Sequence, residues 1–252
     1  MKIIACYNIK GGIGKTATTV NLAYLASQEG AKTLVWDLDP QGAASFYFRI
    51  KPKVKKGGKG LLTGKKELDD VIKGTDFENL DLVPADFSYR NLDLELDDFK
   101  NADKQIRKLL KPLRQEYDYV FLDCPPSVSL VSENILVAAD IIMVPTIPTT
   151  LSLRTLDQII EFCKKIGIAQ SKILMFFSMV DIRKKLHKEI LEIPAKNIKA
   201  LKTSIPYASD VEKMGLHRQP APVFASQSRS VKAYQALWRE TKHYMAEDVR
   251  GE

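Results

Sequence analysis

KIIACYNIKGGIGKTATT, residues 2–19, sets what this chain is expected to be. Its apolar run Ile3–Cys6 predicts a buried strand, and Val20, Leu22, Ala23, Leu25 and Ala26 predict a helix beyond it. Between them lies Lys10-Gly11-Gly12-Ile13-Gly14-Lys15-Thr16. Glycines admit positive φ and let backbone N–H groups crowd a polyphosphate, while the start of the following helix adds a partial positive charge. In such a loop Lys15 reaches the outer phosphates and the Thr16 hydroxyl holds magnesium. Strand, glycine loop and helix in that order predict a nucleotide site.

The ordinary phosphate loop has a glycine five residues before Gly14; here that position is Ile9, with Lys10 beside it. In this deviant form the stretch resembles the ParA/MinD class of P-loop ATPases. The resemblance implies an α/β fold, a doubly wound, mostly parallel sheet with helices on both faces, that takes ATP and Mg2+. It implies nucleotide contacts from Gly11, Gly12, Ile13, Gly14, Lys15, Thr16 and Ala17. It also implies a homodimer in the ATP state, in which Lys10 of each protomer reaches the phosphates held by the other, so that Lys10 joins Lys15 in catalysis.

Moving outward, Thr33–Trp36 predicts a second strand that runs into Asp37-Leu38-Asp39-Pro40-Gln41-Gly42. Acidic residues at the carboxyl end of a buried parallel strand sit where doubly wound sheets bind ligands. The wording resembles ParA proteins, which implies that Asp39 positions the attacking water and Asp37 supports the magnesium shell. Taken singly, either aspartate serves as well in a turn or a helix cap. Further on, the apolar run in Tyr117–Pro126 ends in Asp123-Cys124-Pro125-Pro126. A strand ending in aspartate downstream of a glycine loop is the Walker B arrangement, with Asp123 as the magnesium residue. Cys6, Cys124 and Cys163 are unpatterned and lie in or beside apolar runs, so all three are read as buried reduced thiols.

The remaining chain alternates. A helical stripe covers 104–115, followed by helix 131–138, strand 141–145, helix 153–166, strand 173–179, helix 186–193 and a short strand ending at Ile205-Pro206. Repeated strand–helix units predict a parallel sheet covered on both faces. By resemblance, the segments around Met179 and Pro206 approach the adenine. The tail, 215–245, resembles the ParA ending, and Val231, Tyr234, Leu237, Trp238 and Met245 predict a closing helix over the core.

Bulk properties fit that picture. Apolar residues make up 45% and charged residues 27% of 252, ordinary values for one folded domain spanning 1–252. No apolar run approaches a membrane span and no signal-peptide pattern precedes the first strand, so a cytoplasmic protein without a membrane anchor is expected. The net charge of +7 permits nucleic acid or an anionic membrane as partner. Residues 51–66, KPKVKKGGKGLLTGKK, carry no acidic side chain and read as a flexible basic insertion; residues 67–103 turn acidic, with an extended piece at 80–85. That reversal of sign serves either an interaction face or mutual neutralisation. ParA relatives place arginines after the Ile-Pro pair, where this chain has Tyr207 and Asp210. Arg183, Lys184 and Lys185, with Arg218 and Arg229, remain as candidate DNA contacts, and each also reads as a solvated surface. The resemblance thus implies an ATPase of the partition type, binding DNA nonspecifically and triggered by a ParB-like partner. A MinD-like membrane organiser and a metabolic P-loop synthetase are the alternatives.

Overall fold

The computed structural model describes residues 1–65, 67–193 and 198–248. Lys66, at the end of the basic stretch, and 249–252, at the end of the tail, lie outside the described residues. The strands are β1 (Lys2–Cys6), β2 (Thr33–Asp37), β3 (Lys73–Gly74), β4 (Leu80–Val83), β5 (Tyr119–Asp123), β6 (Ile141–Thr146), β7 (Ile173–Phe177) and β8 (Lys199–Ala200). They form one eight-stranded sheet in the order β3-β4-β2-β5-β1-β6-β7-β8. Every pairing is parallel except β3 with β4. From central β1 the chain runs outward to β2 and β4, returns to insert β5, then builds β6, β7 and β8 on the other side. Register places Asp123 beside both Cys6 and Asp37. The glycine loop and both predicted magnesium aspartates therefore emerge together at the carboxyl ends of three adjacent interior strands.

The helices are α1 (Lys15–Gln28), α2 (Ala43–Tyr47), α3 (Gly57–Leu62), α4 (Leu92–Asp97), α5 (Gln105–Leu110), α6 (Leu130–Ala138), α7 (Thr150–Lys165), α8 (Lys185–Leu191), α9 (Ser209–His217), α10 (Ala221–Phe224) and α11 (Arg229–Asp248). Strand side chains alternate between two cores. Ile3, Leu34, Val120 and Ile142 pack on one face against Leu61 of α3, Leu96 of α4, Ile135 of α6 and Ile159 of α7. Ile4, Val35, Phe121 and Met143 pack on the other against Leu22 of α1, Met214 of α9 and Trp238 of α11. Both faces of the central strands are buried, which is why they read as continuous apolar runs. All five apolar residues expected to hold the closing helix on the core are buried. Buried Asn21 ties α1 to this layer, accepting from Ala221 N–H at 2.9 Å.

Four expectations need correction. Over its described residues, 51–65, the basic stretch is not a free insertion: Val54 and Leu61 are buried and α3 forms within it. Its glycines serve close packing, since a Cβ on Gly58 would meet Leu92 Cδ2 at 2.6 Å. It is also stitched to the acidic stretch, Val54 N–H donating to Asp86 Oδ2 at 2.7 Å and Gly58 N–H to Ser88 Oγ at 2.9 Å. The helix expected over 104–115 stops at Leu110 and resumes as a tighter 3-10 turn, Pro112–Gln115, because proline cannot continue the ladder. Strand β7 ends at Phe177 rather than residue 179, with Met179 left-handed at φ 56°. The strand expected to end at Ile205-Pro206 is a single parallel bridge between Val180 and Pro206, and the outermost strand is β8.

Candidate nucleotide site

Gly12 and Gly14 have φ of 69° and 93°, left-handed values that suit glycine. Nothing lies within 4 Å of a Cβ built on Gly11 or Gly12, so the loop faces open space, whereas one on Gly14 would meet Ser178 Oγ at 2.9 Å. Gly14 caps α1 without any side-chain hydrogen bond, leaving the N–H groups of the first turn for an incoming anion. The loop is clamped at its entry by Asn8. The Asn8 Oδ1 accepts from Lys10 N–H at 3.0 Å, and its Nδ2 donates to Pro145 O of β6 at 3.0 Å.

A cavity of about 330 Å³ opens over the loop. Gly11, Gly12, Gly14, Lys15, Thr16 and Ala17 line one end, Asp39 stands beside them, and Met179 and Pro206 line it farther on. Ile13 is buried and is not part of the lining. Lys15 is 6% exposed, and its Nζ donates to Lys10 O at 2.8 Å across the loop. Asp39 Oδ1 accepts from Gln41 N–H at 3.0 Å, closing the turn that begins α2. Lys10 is not part of the lining: its Nζ donates to Leu151 O of α7 at 2.9 Å within the same chain.

Asp37 and Asp123 sit behind this end, both fully buried. One oxygen of Asp37, Oδ2, accepts from Ser45 N–H and Ser45 Oγ, each at 2.7 Å, while Oδ1 has no partner among the described residues. Asp123 Oδ1 accepts from Thr19 Oγ1 at 3.4 Å and its Oδ2 likewise has none. Burial pushes Asp37 up to about 6, and burial together with the adjacent Asp37 charge holds Asp123 well above the usual carboxylate range. Two buried carboxylate oxygens without donors, next to the Thr16 hydroxyl and the loop, are a donor set that suits a hard cation. Among the described residues no group of three His, Cys, Asp or Glu gathers as a metal cluster. An ion here would take the rest of its shell from phosphate oxygens and water, as magnesium does.

Several lining residues carry no signal in the sequence. Tyr47 of α2, Val211 and Glu212 of α9, Tyr207 and Tyr234 all reach the cavity. The Tyr207 hydroxyl donates to Glu212 Oε1 at 2.6 Å at its rim. These are brought in from three separate segments by the sheet, and no local pattern marks them.

The candidate DNA residues are scattered. Arg183 is held by Asp181, its Nε and one terminal nitrogen each 2.9 Å from a carboxylate oxygen, which keeps Asp181 far below its ordinary value. Lys185 faces Glu189 at 3.6 Å one turn along α8. Arg218, at the end of α9, instead lies over the Phe46 ring of α2. Arg229 opens α11. Three of the five are thus consecutive at the start of α8, with Arg218 closing α9 and Arg229 opening α11.

The sequence model of a family described as an AAA domain matches residues 1–176. The chain is 32% identical over 246 residues to the sporulation initiation inhibitor protein Soj of Bacillus subtilis, covering 95% of this chain and 97% of that one. It is 29% identical over 245 residues to the chromosome-partitioning ATPase Soj of Treponema pallidum, covering 95% and 96%. Among solved structures, a Borrelia burgdorferi protein assigned to plasmid partition and bound to AMPPNP has a TM-score of 0.82 at 24% identity, covering 96% of this chain and 98% of that one. The cobyrinic acid a,c-diamide synthase of Mycobacterium smegmatis, with bound ADP and magnesium, has a TM-score of 0.74 at 26% identity, covering 90% and 93%.

Proposed function

This chain belongs to the ParA/MinD family of P-loop ATPases, and on that premise we propose that it is a partition ATPase of the ParA type, moving or positioning DNA or another cargo in the cytoplasm. The observation that carries the ATPase half is the meeting, at one cavity, of the glycine loop, Lys15 and Asp39, with the two buried aspartates and their unpartnered oxygens at the ends of the neighbouring strands behind it. Magnesium, when bound, neutralises charge on the phosphoryl oxygens. The residues of the chain position everything else. Gly12, Gly14 and the first turn of α1 present N–H groups to the phosphates, and Lys15 exchanges the Lys10 carbonyl for a phosphate oxygen. Thr16 and Asp123 would hold the ion, with Asp37 fixed behind them by Ser45. Asp39, at the edge of the cavity, orients the attacking water. Lys10 leaves Leu151 and reaches the phosphates of the second protomer, so that the ATP state is a homodimer.

The partition half is supported by the likeness to Soj across nearly the whole chain. The ATP dimer binds DNA without sequence preference, holding it by phosphate contacts rather than base readout. A ParB-like partner or cargo adaptor then triggers hydrolysis and release. A membrane organiser has less support, because the apolar face of α11 is committed to the core. Among the described residues no helix is long and apolar enough to cross a membrane.

The test uses Asp39→Ala, which should bind ATP yet hold it unhydrolysed, on random-sequence duplex DNA with ATP, with ADP and without nucleotide. ATP-dependent binding that weakens steeply with salt is expected. A variant that dimerises on ATP but ignores DNA at low salt overturns the DNA half and leaves the ATPase in place.

A further inference from the structure

We propose that the groove between α2 and α9 is where this protein holds the phosphodiester backbone of duplex DNA, with Arg49, Lys51 and Arg218 as the contacts. The proposal rests on the DNA reading above and gives it a surface. The groove encloses about 530 Å³, and its lining includes those three cations and no acidic side chain.

Two of the three stand in backbone conformations that disfavour them. φ is 60° at Arg49 and 50° at Arg218. The left-handed region crowds the Cβ of any other residue and is ordinarily left to glycine. Glycine would relieve both positions, so two arginines there, facing one groove, point to what their side chains do. Arg218 donates from Nε to Phe46 O at 3.2 Å, and its guanidinium lies 4.6 Å over the Phe46 ring. Its two terminal nitrogens have no partner among the described residues, and a stacked guanidinium keeps that edge for a phosphate. Arg49 donates to His217 O at 3.1 Å from the opposite wall and meets Asp76 at 3.4 Å in an exposed, solvent-screened pair. Lys51 is exposed, with no ion pair among the described residues. Arg183, by contrast, is already committed to Asp181 through two contacts.

The groove also adjoins the nucleotide. Ala43 and Tyr47 line both it and the ATP cavity, and α2 between them carries the Ser45 that holds Asp37. DNA in the groove contacts the helix that borders ATP, which gives the nucleotide a short route to DNA affinity.

The experiment is fluorescence anisotropy with random-sequence duplex DNA and ATP, on full-length Asp39→Ala protein carrying in addition Arg49→Gly with Arg218→Gly, Lys51→Glu, or Arg183→Ala. Glycine fits both left-handed positions but gives up the contacts to His217, Asp76 and Phe46, so a melting curve first confirms that the doubly replaced protein is folded at the assay temperature. Its affinity is expected to fall about tenfold per arginine near 0.1 M salt, with the slope of log K against log salt reduced by about one per lost contact. Lys51→Glu, on an exposed side chain, is expected to cost at least about tenfold, and Arg183→Ala less than about twofold. Parental affinity in both the glycine and the Lys51→Glu proteins overturns the groove and leaves DNA binding standing. A parent that binds no DNA in any nucleotide state overturns both.

Discussion

At the scale of single residues, the site stores an unfavourable arrangement that its ligands relieve. Asp123 is buried without a donor on Oδ2, close to Asp37, and two carboxylates so placed repel each other. Asp123→Asn removes one of the charges. In the absence of nucleotide it is expected to raise the melting temperature by about 2–4 °C, the shift that about 1 kcal/mol produces in a chain of this size. The same variant should lose the additional thermal shift that magnesium gives wild-type protein in the presence of ATP, read by differential scanning fluorimetry with and without EDTA. A variant that melts lower and keeps the magnesium shift would show that Asp123 is structural and not a ligand. Gly14→Ala argues the opposite case. With φ at 93° and Ser178 Oγ 2.9 Å from the new methyl, the loop must shift, and ATP affinity measured by calorimetry should fall by at least about tenfold. Lys15→Ala, at a side chain 6% exposed and facing the loop, should abolish ATP binding and leave the fold intact.

At the scale of elements, the basic stretch shows how a composition can mislead. Lysines and glycines in Lys51–Lys65 have the signature of a flexible linker, and a flexible linker would tolerate or welcome alanine. In the fold, Gly58 lies within α3 under Leu92 and Tyr89, so Gly58→Ala should destabilise by about 1–3 kcal/mol through overpacking. Alanine in a helix that touched nothing would instead gain up to about 1 kcal/mol, so the sign measured in urea decides. What made this element illegible is that its partners, Asp86, Ser88 and Leu92, lie some thirty residues away. The elements that were legible carry their reason locally: β1, β2 and β5 as apolar runs buried on both faces, the glycine loop as a spacing, and α11 as a stripe of Val231, Tyr234, Leu237 and Trp238. The loop and its aspartates were readable for the same cause, since each sits at a strand end with its chemistry in consecutive residues. Tyr47, Tyr207 and Glu212 were not, because only the sheet brings α2, α9 and the segment after Val180 around one cavity.

At the scale of the whole molecule, Lys10 is the residue whose position within one chain does not explain its presence. Its ammonium rests on Leu151 O at 2.9 Å, an exposed hydrogen bond to a neutral carbonyl. Water competes for such an exposed bond, whereas a lysine brought against a triphosphate meets concentrated charge in a site from which water is excluded. In the proposed ATP dimer the exchange favours leaving Leu151 when a second protomer presents its nucleotide, since Lys15 there serves the phosphates of its own chain. Lys10→Ala is therefore expected to bind ATP with near wild-type affinity while failing to dimerise, as followed by sedimentation velocity. On the proposal that hydrolysis needs the second lysine, wild-type turnover per molecule should rise with protein concentration across the dimerisation range, and that of Lys10→Ala should stay flat and at least about a hundredfold lower, the order of loss seen when one transition-state contact is removed. Concentration-dependent turnover in Lys10→Ala would instead tie the lysine to Leu151 alone, a pin between the glycine loop and α7.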